Sequence, residues 1–94
     1  MAVVIHLTWR GVTEAQYERV RELVGWEREA PRGGLFHAAW LTPEGLHVFD
    51  VRETAGDSER FAEERLMPVV RGELGFAGEP EVVFREAHAV LIPR

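Results

Sequence analysis

The most chemically versatile side chains in this 94-residue chain are four histidines, His6, His37, His47 and His88. Imidazole exchanges protons near neutral pH and ligates metals, so the direction each one faces decides what the protein could do. Cysteine is absent, which removes thiol catalysis, thiolate metal sites and disulfides. No H-x-x-H or H-x-x-x-H pair occurs, so no metal site is expected. Acid–base chemistry remains. A pocket walled by imidazole and aromatic rings would hold a phenol or enol and take its proton. An oxygenase that needs no cofactor starts in this way, by making a carbanion electron-rich enough to reduce oxygen. His37, His88 and His6 are the candidate bases. Phe36 and Trp40 are the candidate walls for a flat ligand, and Asp50 and Arg52 are the charged groups that would stand beside it.

Which of these groups meet depends on the stretch GLFHAAWLTPEGLHVFDV, residues 34–51. It reads as two strands, 35–41 and 46–53, around Thr42-Pro43-Glu44-Gly45. Pro43 holds φ near about −65°, so the mirror-image hairpin turns, which need positive φ, fit poorly. A type I turn with Gly45 in the left-handed region and a one-residue bulge is the preferred reading. In that register Thr42 pairs with Leu46, and His37 shares a face with Phe49 and Val51. Asp50 and Arg52 then lie on the other face with Phe36, Ala38 and Trp40. A two-residue loop would instead set His37 opposite Asp50. Such a pair holds one tautomer and raises imidazole basicity. One residue of register decides whether the dyad exists.

The elements that carry these residues are legible in the pattern. Val3, Ile5, Leu7 and Trp9 alternate along a first strand. Gly11 breaks it, and Thr13-Glu14-Ala15-Gln16 reads as a capping box that opens a helix reaching about Arg28. Tyr17, Val20, Leu23 and Val24 form its apolar stripe. The loop Ala30–Gly34 is rich in Pro and Gly and leads into the hairpin; Gly33-Gly34 is too short to cradle a phosphate and precedes a strand. A second helix starts at Gly56-Asp57-Ser58, with Asp57 or Ser58 as its cap, and Pro68 kinks or ends it. Residues 81–92 form a last strand, which places one histidine on each strand.

The order β-α-β-β-α-β is the split βαβ, ferredoxin-like pattern: an α+β domain spanning residues 1–94, with both helices on one face of a four-stranded antiparallel sheet. Two helices cover one face only. The other face would expose apolar side chains from every strand, a patch larger than monomers usually carry. The economical cover is a second copy of the chain packed sheet to sheet, so a homodimer is expected.

With that order, "HVFDVRET" running into "SERFAEERLMPVV" and the closing "EPEVVFREAHAV", the chain resembles the dimeric α/β-barrel proteins, close to their antibiotic-biosynthesis-monooxygenase-like and stress-responsive groups. The resemblance covers nearly the whole chain. It implies homodimers whose sheets face each other. It also implies a small apolar or aromatic ligand and, in some members, cofactor-free oxygenase or isomerase activity. Haem-degrading members use an Asn, a Trp and a helical His; this chain has no Asn, and its expected helices hold no His. Asp50 stands where an acidic residue is common, and Arg52 stands in place of a common Trp. The alternative class is a non-enzymatic, structural or stress-related dimer in which the histidines only pack.

Composition narrows the partners. The net charge is −5 with no basic stripe, which argues against nucleic acid. No apolar run approaches the roughly 20 residues that span a bilayer. The N-terminus enters a strand with no signal-like pattern, so a cytoplasmic protein is expected. All 11 cations are arginine, the usage of a GC-rich bacterial genome.

Overall fold

The computed structural model describes residues 1–93. Its elements are β1 (Val3–Arg10), α1 (Glu14–Val24), β2 (Gly34–Thr42), β3 (Gly45–Arg52), α2 (Ala55–Phe61) and β4 (Glu81–Glu86). The strands form one antiparallel sheet in the order β2-β3-β1-β4. This is the ferredoxin-like α+β fold.

Local chemistry sets most boundaries. Thr13 caps α1 through the capping box, its side chain accepting from Gln16 N while Gln16 Oε1 accepts from Thr13 N at 2.9 Å. The helix stops at Val24, earlier than the expected Arg28, because Gly25 takes φ +70° and its N–H closes on Arg21 O. Thr54, rather than Asp57 or Ser58, caps α2 by accepting from Asp57 N at 3.1 Å. The chain then passes Pro68 without breaking. It widens into π-helical turns over Ala62–Leu66 and Pro68–Glu73, which accommodates a residue that has no N–H. β4 ends at Glu86, not Ile92, because its neighbour β1 begins at Val3, the partner of Glu86. His88 therefore lies beyond the sheet and is exposed.

The hairpin register also differs from the preferred reading. Thr42 pairs with Gly45, and His37 pairs with Asp50. The turn residues Pro43 and Glu44 both keep negative φ, and Gly45 takes φ +146°. A Cβ on Gly45 would stand 2.4 Å from Trp9 O and 2.8 Å from Gly11 N, so only glycine brings the hairpin end this close to β1. Gly11 N donates to Glu44 O at 2.9 Å and locks the contact. The irregularity sits at the far end of the hairpin instead, between Gly34 and Phe36.

Register assigns the faces. Leu7, Trp9, Leu46 and Val48 point toward the helices and pack with Val20 of α1 and with Val70 and Phe76 from the segment after α2. Val70 is 2% exposed, and such burial is worth about 1.5–3 kcal/mol. Neither helix covers the opposite face, which presents His6, Thr8, Phe36, Trp40, His47 and Phe49. Phe36 and Trp40 are 50% and 44% exposed there.

Candidate active site

Between the helices and the sheet lies a cavity of about 290 Å³. Its apolar walls include Leu7, Val48, Leu66 and Val70, and its polar groups are His37, Asp50, Arg52 and Tyr17. Strands β2 and β3 deliver His37 and Asp50 as direct cross-strand partners. His37 Nδ1 lies 2.5 Å from Asp50 Oδ1. A carboxylate only accepts, so Nδ1 carries the proton and Nε2 keeps its lone pair. On the other side Tyr17 Oη is 2.9 Å from Nε2 and donates to it. The result is a continuous chain, Tyr17 to His37 to Asp50.

Helix α1 and the turn after it hold that chain in place. Tyr17 lies on the buried stripe of α1 and reaches across to β2, its ring stacked over the imidazole at 6.4 Å and 8°. Trp26 follows the αL turn at Gly25 and packs on His37 at 5.2 Å. Arg21 clamps this turn by a two-point pair with Glu27, Nη2 to Oε2 at 2.9 Å and Nε to Oε1, which holds the Glu27 carboxyl below its ordinary range. Arg65 Nη2 closes it from the α2 side by donating to Val24 O and Glu29 O. Burial is the main cause that pushes the Tyr17 phenol above its ordinary value. Tyr17 therefore stays neutral and serves as a donor.

Arg52 adjoins the dyad. Its Nη2 is 3.6 Å from Asp50 Oδ2, and its guanidinium lies over the Phe61 ring at 4.7 Å. Nε and Nη1 are buried with no hydrogen-bond partner.

The residues singled out in the sequence separate into two groups. His37, Asp50 and Arg52 border the cavity, and Phe36, 50% exposed on the opposite face, touches only its edge. His6 and Trp40 lie on the opposite face, stacked at 5.8 Å. His47 is there too, nearly buried, its two ring nitrogens 3.4 Å from Thr8 Oγ1 and 3.0 Å from Thr42 Oγ1 and its ring stacked on Trp40 at 5.2 Å. His88 joins neither group. Two residues of the cavity escape the sequence reading: Tyr17, which it places in the packing stripe of the first helix, and Trp26. The signal for Tyr17 is its hydroxyl, the one polar atom on the stripe, which needs a partner when buried.

No protein-family model and no curated protein matches the chain. In three dimensions it is similar to the crystal structure of a monooxygenase from the gene ActVA-Orf6 of Streptomyces coelicolor, in complex with the ligand nanaomycin D. The TM-score is 0.58 at 20% sequence identity, over 99% of this chain and 92% of that one. The likeness is one of fold, and it agrees with the ferredoxin-like arrangement of strands and helices described above. Among the described residues no helix is long and apolar enough to cross a membrane.

Proposed function

We propose that the protein is a cofactor-independent monooxygenase acting on a small aromatic phenol or enol in the cavity between helices and sheet. The observation that carries this reading is the Tyr17–His37–Asp50 hydrogen-bond chain in a largely apolar cavity. The fold shared with a monooxygenase supports it.

His37 Nε2 takes a proton from Tyr17 as Tyr17 takes one from the substrate hydroxyl. Asp50 stabilises the imidazolium that forms, as a carboxylate does for any histidine base. The anion is electron-rich at carbon and transfers one electron to dioxygen. The radical pair combines through a C–O bond to a peroxide, which takes up the proton. Loss of water, with the ring C–H proton leaving, produces the quinone. In balance, one phenol and one O₂ give one quinone and one H₂O. The apolar walls, among them Leu7, Val48, Leu66 and Val70, limit the solvent that could protonate the anion.

The histidines on the opposite face serve a different purpose. His47 is satisfied by threonines and packs against Trp40. We infer that this face is covered by a second copy of the chain, because Phe36, Trp40, Phe49 and Val83 stand exposed together on it. A soluble, cytoplasmic homodimer with an internal pocket in each subunit is the resulting assembly.

The test is aerobic incubation with 2-naphthol, following oxygen uptake and quinone formation in wild type and His37→Gln. Turnover in wild type that drops by about 10²–10⁴ in the variant supports the base. Equal turnover in both removes it. Sedimentation of wild type and Trp40→Glu tests the assembly: a dimer that dissociates in the variant is expected, and a monomeric wild type overturns it.

A further inference from the structure

The proton relay uses Tyr17, His37 and Asp50 and leaves Arg52 unexplained. The Arg52 side chain is 6% exposed, yet Nε and Nη1 are the buried side-chain polar atoms left unpaired among the described residues. The nearest carboxylate oxygen, Asp50 Oδ2, is 3.6 Å from Nη2, too far for a hydrogen bond. The other oxygen of that carboxylate is committed to His37. The Phe61 ring attracts the cation but cannot satisfy its in-plane N–H groups. Buried charges in folded proteins are normally paired and hydrogen-bonded. Here the partner that completes the set has to come from outside the chain.

Room is kept for it. Gly34 pairs with Arg52 across the hairpin, and a Cβ on Gly34 would stand 3.1 Å from Pro31 O and 3.3 Å from Nη1. The absent side chain leaves space beside an unpaired donor. An arginine with donors free on two nitrogens matches a group with two acceptor oxygens, and a carboxylate also supplies the missing negative charge. Size sets the rest of the ligand. The cavity of about 290 Å³ is roughly twice the ~150 Å³ space that accepts one benzene ring in an engineered protein core. Asp50 stands between His37 and Arg52, so the hydroxyl that meets the relay and the group that meets Arg52 belong at opposite ends of the ligand.

We propose that Arg52 anchors the carboxylate of an aromatic acid of one or two fused rings, which makes the substrate class a small hydroxyaryl carboxylate. The proposal rests on the reading of the cavity as the substrate pocket. The experiment compares 6-hydroxy-2-naphthoic acid with 2-naphthol, which differ by the carboxylate alone, in anaerobic binding titrations followed by ligand fluorescence. Wild type binds the acid about tenfold tighter or more. Arg52→Met loses that preference and keeps its affinity for 2-naphthol. Gly34→Ala leaves the charge in place and crowds Nη1; it weakens the acid by about threefold or more and spares 2-naphthol. This second variant carries the test if thermal unfolding shows that Arg52→Met does not fold. A wild type that binds both ligands equally, or an Arg52→Met protein that keeps the preference, overturns the proposal. If 2-naphthol binds and is oxidised while the carboxylate adds nothing, the Arg52 assignment falls and the oxygenase reading stands. If neither ligand binds, both fall.

Discussion

Asp50→Asn changes one carboxylate oxygen to an amide nitrogen and leaves the shape alone. Its effect follows from who donates to whom. In the wild type Asp50 can only accept, so His37 Nδ1 holds the proton at 2.5 Å and Nε2 accepts from Tyr17 at 2.9 Å. An asparagine must place its NH₂ toward either His37 or Arg52. Facing Arg52, which has donors only, the amide would oppose N–H to N–H across 3.6 Å. The amide oxygen therefore turns to Arg52 and the NH₂ to His37. Nδ1 must then accept, the proton moves to Nε2, and Tyr17 must reverse. The base has become a donor at the atom where a proton should arrive. Losing the charge-assisted bond to an imidazolium costs about 1.5–3 kcal/mol, roughly a factor of 10–150. That loss is one part of what a positioned general base contributes, about 10²–10⁴ in all. A fall in kcat of about 10²–10⁴ is expected, with anaerobic 2-naphthol affinity within about threefold of wild type. The assay pairs oxygen uptake with nitrogen NMR of the imidazoles, His37 being assigned by its loss in His37→Gln. The NMR reads the tautomer without any substrate. An Asp50→Asn protein that keeps the proton on Nδ1 and turns over within about threefold of wild type refutes the reasoning.

Further outcomes are open to measurement. Tyr17 is the sole tyrosine, so ultraviolet titration reports it alone. Its phenol should titrate above the ordinary value of about 10 in the folded protein and at that value in denaturant. Between those two values the folded state keeps a proton that the unfolded chain has lost. The associated stability is thus complete below about pH 10 and declines as pH rises through the folded value; a folded midpoint at or below the denatured one contradicts this. Gly45→Ala should cost about 1–3 kcal/mol through the backbone alone, and more through the clash with Trp9 O, in denaturant unfolding. Stability within about 0.5 kcal/mol of wild type would falsify the close approach to β1. Val70→Ala removes two methyl groups from a fully buried site and should cost about 1.5–3 kcal/mol with an unchanged denaturant slope.

Much of the fold is legible in the chain because its signals are local. The alternation through Val3–Trp9, the capping box at Thr13 and the stripe Tyr17-Val20-Val24 each involve residues within one or two turns of one another. Their succession implies the ferredoxin-like order. Local signals were less decisive at the ends of elements. Gly25 stops α1 early by taking a positive φ, and Thr54 outcompetes Asp57 and Ser58 for the cap because its side chain meets Asp57 N. The end of β4 was not readable at all, since it depends on where β1 begins.

The sequence alone determined which side chains could do chemistry and which elements hold them: one imidazole on each of β1, β2 and β3, and an acid and an arginine at the close of β3. Tertiary structure decided which of them meet. Negative φ at Pro43 and Glu44 favours the longer, bulged loop locally, and the shorter one forms instead because Gly45, at positive φ, fits against the backbone of β1. That single residue of register turns His37 toward Asp50. Tyr17 lies 20 residues from His37 in the chain, and only the packing of α1 on the sheet brings its hydroxyl to Nε2. The burial of Arg52 with two donors unpaired is likewise a property of helix on sheet, because a side chain loses its water only when distant segments close over it.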